Sequence, residues 1–229
     1  MRKLSVLVPV YNEEATVCEL LSRVRRASVP LEKEIIVVDD GSTDGTAEIL
    51  KGPLEPEIRV FFHGTNRGKG AAIRTALEHV AGDFVLIQDA DLEYDPDDYG
   101  ALLKPLLEGK ADVSYGSRFL GSPHRVLLFW HYLANRGLTL AANVLYDVNL
   151  TDMGTCYKAF AADKIKAIPL RSDRWGIEAE ITAKVCKAGL RIFEVPVSYS
   201  GRTYAEGKKI TWTAALSYIG CLLKYRVLD

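Results

Sequence analysis

The sequence carries almost no net charge: 29 Lys and Arg stand against 30 Asp and Glu, −1 over 229 residues. That balance excludes a general nucleic-acid binder, whose affinity rests on excess basic charge. Cysteine is scarce. The four, Cys18, Cys156, Cys186 and Cys221, lie far apart with no C-x-x-C pair, and read as reduced thiols of a cytoplasmic protein. No signal peptide is expected, because Arg2 and Lys3 lead straight into a short apolar run. There is also no clean apolar run of roughly 20 residues, the length a spanning helix needs. Residues 126–146 are rich in Leu, Phe and Trp but are interrupted by His131, Asn135, Arg136 and Asn143, and residues 212–223 are too few. Both stretches read as amphipathic surface helices, lying either on a membrane, with Lys224 and Arg226 beside lipid phosphates, or on the protein's own core. Internal repeats and low-complexity linkers are absent.

What is present is the alternation of an α/β domain. The length suits one such domain over residues 1–229. Apolar runs at 4–10, 34–38, 58–62 and 83–88 read as strands; 12–27, 43–50 and 68–80 read as the helices between them. Asn12 is the expected cap of the first helix. This rhythm predicts a mostly parallel sheet flanked by helices, with ligands beyond the carboxyl ends of the strands. The second half is less regular: a helix at 97–107, a strand at 111–119, a loop at 151–155, helices near 163–168 and at 177–187, a strand at 191–199, and a polar loop at 200–209.

Charge collects where strands end. P-V-Y-N-E (9–13) follows the first strand, D-D-G-S the second and Q-D-A-D-L-E-Y-D-P-D (88–97) the fourth. Acids this close repel and resist desolvation, so water or a cation must accompany them. Asp95, Asp97 and Asp98 suit the start of the next helix. Asp89 and Asp91, two apart, would face one side if the strand conformation persists. Two hard oxygen ligands on one spot suit Mg2+ or Mn2+ shared with a substrate's phosphates, and Glu93 is a candidate third ligand, direct or through water. N-R-G-K-G-A (66–71) lacks the spacing and the Ser or Thr of an ATPase loop, although its amides and Lys69 at a helix start could meet a phosphate. Residues 40–51 imitate a calcium loop but end in Lys51 where Glu is required; they read as a turn and helix cap that leave Asp39 or Asp40 free for a ligand.

Four segments in this order and spacing, P-V-Y-N-E, D-D-G-S-T-D (39–44), N-R-G-K-G (66–70) and Q-D-A-D (88–91), resemble the family 2 glycosyltransferases with a GT-A fold. G-S-R (116–118), Thr151-Asp152, E-V-P (194–196), Tyr199 and Arg202 narrow the resemblance to polyprenyl-phosphate sugar transferases of the dolichyl-phosphate mannose synthase kind. The resemblance implies a Rossmann-like, mostly parallel sheet with a nucleotide-sugar half (1–119) and an acceptor half with surface helices (120–229). It implies that Pro9, Tyr11, Glu13, Val38 and Asp40, supported by Asp39, line the nucleoside pocket; Lys69 and Ala90 join the nucleotide-sugar contacts. Asp89 and Asp91, with Glu93, would hold Mg2+ or Mn2+ on the diphosphate. Asp91, Arg118 and Asp152 are the expected catalytic residues, Arg118 meeting a phosphate of acceptor or donor and Asp152 acting as a catalytic or sugar-binding acid. Arg125, His131, Asn135 and Arg136 would face the acceptor phosphate, and Arg202, Lys208 and Lys209 would close over the site. His63 and His79 read as structural, Glu178 and Glu180 as helix-surface residues or sugar contacts, and Trp175 as a sugar platform or a packing residue.

The implied reaction is inverting transfer of a hexose, mannose from GDP-mannose first and glucose from UDP-glucose second, to a polyprenyl phosphate on the cytoplasmic membrane face. Transfer to a hydroxyl is the alternative, with Asp152 as the base. A nucleotidyltransferase is disfavoured because the Gly-rich basic loop is missing after the first strand. A non-catalytic sugar-nucleotide module is disfavoured by the intact D-A-D and Arg118.

Overall fold

The computed structural model describes residues 2–125, 128–203 and 213–228. In chain order the elements are β1 (Lys3–Val10), α1 (Val17–Arg26), β2 (Glu32–Asp39), α2 (Thr46–Lys51), β3 (Ile58–Phe62), α3 (Lys69–Glu78), β4 (Phe84–Ile87), a 3-10 turn (Pro96–Asp98), α4 (Tyr99–Leu107), β5 (Val113–Ser117), α5 (Phe129–Tyr146), β6 (Lys158–Ala161), α6 (Ala162–Lys166), α7 (Ile177–Lys187), β7 (Ile192–Pro196) and α8 (Thr213–Val227). The strands form one sheet in the order β3-β2-β1-β4-β6-β5-β7. All neighbours are parallel except β6, which runs against both β4 and β5.

The sheet is buried on both faces, which is why its strands read as continuous apolar runs. Along β1 and β2 alternate residues serve two cores. Leu4, Val6, Val8, Ile35 and Val37 pack with Val17, Leu20 and Val24 of α1. Leu7, Ile36 and Val38 pack on the other face with Ala72, Ile73 and Ala76 of α3 and Ile177 and Ile181 of α7.

The reverse strand β6 was not anticipated. Its K-A-F-A carries neither alternation nor β-branched residues, so only its position between β4 and β5 makes it a strand. The consequence is functional. Because β6 runs backwards, its start rather than its end lies at the edge where β1, β2, β4 and β5 finish, and the 151–157 loop arrives there with it.

Two helix starts also differ from expectation. Asn12 does not cap α1, which begins at Val17. It sits in the left-handed region at φ 52°, and its side chain ties the first strand-end loop to the second through Thr43 N (2.8 Å) and Thr43 Oγ1 (3.2 Å). The same tie delays α2 to Thr46, whose N–H is taken by Asp44 Oδ1 at 3.0 Å.

Lys158 illustrates how β6 supports the loop before it. Its ammonium is buried, donates to the carbonyls of Met153 (3.0 Å) and Thr155, and lies 4.5 Å from the centre of the Tyr115 ring. Burial pulls its pKa down to about 8. The unfolded chain, near the ordinary Lys value, therefore binds more protons from about pH 8 to 10, and stability rises with pH across that window. Urea unfolding of the native chain relative to Lys158→Met should show a difference growing by about 2–3 kcal/mol between pH 8 and pH 10; a pH-independent difference would contradict the assignment.

Candidate active site

A cavity of about 820 Å3 opens at the strand-end edge. It is lined by Pro9 near the end of β1, Tyr11 and Glu13 just after it, and Asp89, Ala90 and Asp91 after β4. Strand alternation is not what brings the two aspartates together, because β4 stops at Ile87. The turn beyond it bends through Leu92 at φ 60°. Gln88 fixes that turn from below: its Oε1 accepts from Tyr99 OH (2.8 Å) and Tyr157 OH (2.6 Å), and its Nε2 donates to the Asp89 carbonyl at 2.9 Å. The acid run divides as its chemistry suggests. Asp95 accepts from Asp97 N at 3.0 Å and starts the 3-10 turn, whereas Asp89 and Asp91 face the cavity.

Asp91 carries the clearest electrostatic mark. Burial, then the carboxylates of Asp89 and Glu93, push its pKa up to about 7, against the pull of Arg202. Such a carboxylate gains from a cation placed beside it. Glu93 does not complete a cage. Its Oε2 accepts from Tyr199 OH and its Oε1 from Arg202 N, both at 2.7 Å. Among the described residues no three His, Cys, Asp or Glu side chains are gathered for a metal ion. The donor set therefore fits an ion held by two aspartates and completed by ligand oxygens, with Glu93 anchoring the 199–202 segment.

Several expected contacts are redirected. Asp40 lines the cavity, but its carboxylate is engaged from within the chain: His63 Nδ1, Asn66 Nδ2, Arg67 N and Gly68 N all lie within 3.0 Å of it. The acid thus fills the anion position before α3, and Ala71 N bonds the Asp173 carbonyl, so these amides are not open to a phosphate. The glycines of N-R-G-K-G serve packing. A Cβ on Gly70 would fall 2.1 Å from the Ser172 carbonyl oxygen, and Gly68 sits at φ 104° against Asp173. Val38 is fully buried in the core and does not line the cavity. Asp39 is buried as well, and its Oδ1 has no hydrogen-bond partner among the described residues. His63 and His79 are structural, the first bridging Asp40 and Thr75 and the second stacked on Phe61.

Lys69 points into the cavity and is held by Asp89 Oδ1 (2.6 Å), Glu178 Oε1 (2.9 Å) and Cys156 Sγ (3.0 Å). Burial opposes its charge, yet Asp89 and Glu178 raise its pKa. Glu178 is not on a helix surface: it is buried on the cavity wall, its Oε2 accepting from Tyr218 OH at 3.1 Å. Glu180 is buried too, bound to the amides of Arg171 and Ser172 and to Lys184. An acid in a helix's first turn reads as a dipole partner, so nothing local marks Glu178 as part of the site. The sugar-contact alternative for Glu178 comes from the resemblance alone, and Cys156 was not anticipated at the site. Both come from the second half of the chain and touch the first half's Lys69, so the two halves share this wall of the cavity.

Arg118 directly follows β5 and forms a two-pronged pair with Asp152, Nε to Oδ2 and Nη2 to Oδ1, both at 2.7 Å. Asp152 also accepts Arg118 N at 3.1 Å, has no exposed surface and does not line the cavity. Its own amide and that of Thr151 are gripped by Glu194. Its carboxylate is thus engaged by Arg118 and sealed from the cavity, a geometry that does not suit the expected base or sugar-binding acid. From α5, His131 and Asn135 line the cavity, whereas Arg125 and Arg136 are exposed and lie off it. Trp175 lines it while packing on the core. Arg202 reaches Glu13 and Asp91. Lys208 and Lys209 lie outside the described residues.

A mostly parallel sheet with an acidic pair beyond β4, facing a cavity roofed by later helices, defines a GT-A glycosyltransferase. The chain belongs to glycosyl transferase family 2, whose sequence model matches residues 5–168, and it is a glycosyltransferase. Among characterised relatives, glycosyltransferase AglJ of Haloferax volcanii is 31% identical over 198 residues, covering 86% of this chain, which spans 63% of the AglJ length. An undecaprenyl-phosphate mannosyltransferase of Micrococcus luteus is 31% identical over 220 residues, 91% of this chain and 87% of the relative. In three dimensions the chain is similar to glucosyl-3-phosphoglycerate synthase from Mycobacterium tuberculosis solved with Mn2+, UDP and glucosyl-3-phosphoglycerate. The TM-score is 0.76 at 23% identity, covering 100% of this chain and 81% of that one.

Proposed function

We propose that this glycosyltransferase moves a hexose from a nucleoside diphosphate sugar to a polyprenyl phosphate, with mannose from GDP-mannose as the first candidate and glucose from UDP-glucose as the second. One observation carries the reading: the cavity lined by Asp89 and Asp91 is also lined by apolar residues at α5 and α8, namely Leu128 just before α5, Leu138 of α5 and Ala215 of α8. The outer faces of those helices remain apolar and exposed at Phe129, Trp130, Leu133, Leu140 and Val144, and at Leu216, Ile219 and Leu223. Exposed apolar area of this extent marks an interaction surface, and a lipid tail leaving the site would meet it. Among the described residues no helix is long and apolar enough to cross a membrane, which suits peripheral contact through these two helices. The mannosyltransferase relative bears the name of a polyprenyl-phosphate acceptor.

Asp89 and Asp91 would hold Mg2+ or Mn2+, which when bound offsets charge developing on the leaving diphosphate; structural neighbours contain either ion with UDP. Arg118 spends Nε and Nη2 on Asp152, keeping Nη1 for a phosphate oxygen. His131 and Asn135 flank it from α5, and Arg202 reaches the same region from the other side. A phosphate acceptor brings its own ionised oxygen, so no strong general base is required. The closed state of Asp152 favours this acceptor over a sugar hydroxyl, which would need a free base.

The decisive experiment offers a panel of nucleotide sugars with Mn2+ to the protein, with either a short polyprenyl phosphate or soluble sugars as acceptor, alongside liposome sedimentation. Transfer to the polyprenyl phosphate and co-sedimentation are expected. Transfer only to soluble acceptors, with no liposome binding, would overturn the lipid reading.

A further inference from the structure

Glu13, Asp89, Asp91 and Glu93 all line the cavity, and two of the chain's own cations answer them. Lys69 takes Asp89. Arg202 spreads over the other three. Its Nη2 lies 3.2 Å from Glu13 Oε1 and 3.3 Å from Asp91 Oδ2, its Nη1 lies 3.3 Å from Glu13 Oε2, and its Nε lies 3.7 Å from Glu93 Oε1. The backbone is pinned too, since Arg202 N and Tyr199 OH each donate to Glu93 at 2.7 Å. Yet this is not a fitted bridge. Charge-assisted contacts of a guanidinium close to about 2.7–2.9 Å, as Arg118 does on Asp152, and the side-chain contacts of Arg202 to the described residues are all longer. Its Nε is buried without a hydrogen bond among the described residues. A guanidinium shared loosely among three carboxylates neutralises them without being committed to any.

We propose that Arg202 makes ion binding at Asp91 depend on the nucleoside diphosphate. The inference rests on the metal-and-nucleotide reading of this site. A guanidinium and a divalent cation cannot both sit on Asp91 without strong mutual repulsion. An ion arriving alone must displace Arg202 and leaves it no new anion. A diphosphate supplies one, because its oxygens match the planar fork of a guanidinium. Ion and nucleotide then strengthen each other's binding, and that coupling is reciprocal. Lys69 differs: on leaving Asp89 it keeps Glu178 at 2.9 Å and Cys156 at 3.0 Å, whereas the side-chain contacts Arg202 would keep, to Glu13 and Glu93, are 3.2 Å or longer.

The test measures Mn2+ affinity from the free-ion electron paramagnetic resonance signal, without activity. Native chain, Arg202→Met and Arg202→Lys are titrated with Mn2+ alone and with saturating UDP or GDP. Arg202→Met is expected to bind Mn2+ alone about tenfold more tightly than the native chain, with its enhancement by nucleotide reduced by a similar factor. Arg202→Lys, which spans fewer carboxylates, should fall between. The proposal is overturned if Arg202→Met binds Mn2+ alone no better than the native chain. It is equally overturned if the affinity rises while the nucleotide enhancement stays whole, since that is only a general loss of positive charge. A native chain that binds no Mn2+ with either nucleotide refutes the metal-and-nucleotide reading itself. Thermal melts confirm folding; if Arg202→Met does not fold, Arg202→Lys carries the comparison.

Discussion

Asp91→Asn is expected to lower glycosyl transfer by about 10^3-fold or more while leaving the fold intact. The substitution keeps the size of the side chain and removes the charge that a divalent ion needs. Its effect on stability has an unusual sign. A carboxyl raised to about 7 by burial and by Asp89 and Glu93 favours folding while protonated, well below neutral pH, and loses that contribution as pH rises through 7. At pH 8 the ionised group is therefore a burden on the ion-free protein, and a neutral amide should hold or raise the melting temperature. Transfer rates and thermal melts at pH 8 check both parts. Activity within tenfold of the native chain would remove Asp91 from the chemistry, and a collapsed melting temperature would mean that the loss reports unfolding.

The second large effect belongs to Asp152. If Asp152 positions Arg118, Asp152→Asn leaves a guanidinium buried without its counter-charge. Breaking a buried pair from one side costs about 3–5 kcal/mol. The variant should thus lose stability and most of its activity together. The double variant Arg118→Met with Asp152→Leu should regain much of the stability, because apolar groups of similar volume tolerate this burial, but none of the activity. A catalytic base would behave otherwise: Asp152→Asn would fold normally, and the acidic limb of the rate profile would disappear. Chemical denaturation of the three proteins, with a pH–rate profile of the single variant, separates the two roles.

Much of the site was legible because its residues are contiguous with strand ends. P-V-Y-N-E and Q-D-A-D follow apolar runs, and in a parallel sheet those runs must finish at one edge. The division of the acid run into a cavity-facing pair and a helix-starting group was also readable, since Asp95 and Asp97 precede a helix pattern with Pro96 at its first position. What misled was inference about where single side chains point. Asp40 sits in a ligand-like motif, but its carboxylate is consumed by four donors from the 63–68 loop. Glu178 sits in a helix pattern as an ordinary first-turn acid, and Asp152 in a short polar loop as an available one. Burial reverses both roles, bringing Glu178 into the cavity and sealing Asp152 away from it.

The sequence by itself determined the alternation of strands and helices, the sheet edge at which ligands must bind, and the acidic pair beyond β4. These follow from local periodicity and from the rule that parallel strands end together. Only the tertiary structure decided that β6 runs backwards between β4 and β5. It also decided that Arg118 locks Asp152 and that Arg202 crosses to Asp91, a residue 111 positions earlier. The physical reason is that each of these outcomes is a choice of partner for a charge or a backbone edge. A partner is fixed by what folding leaves within about 3 Å, a distance that residue order does not encode.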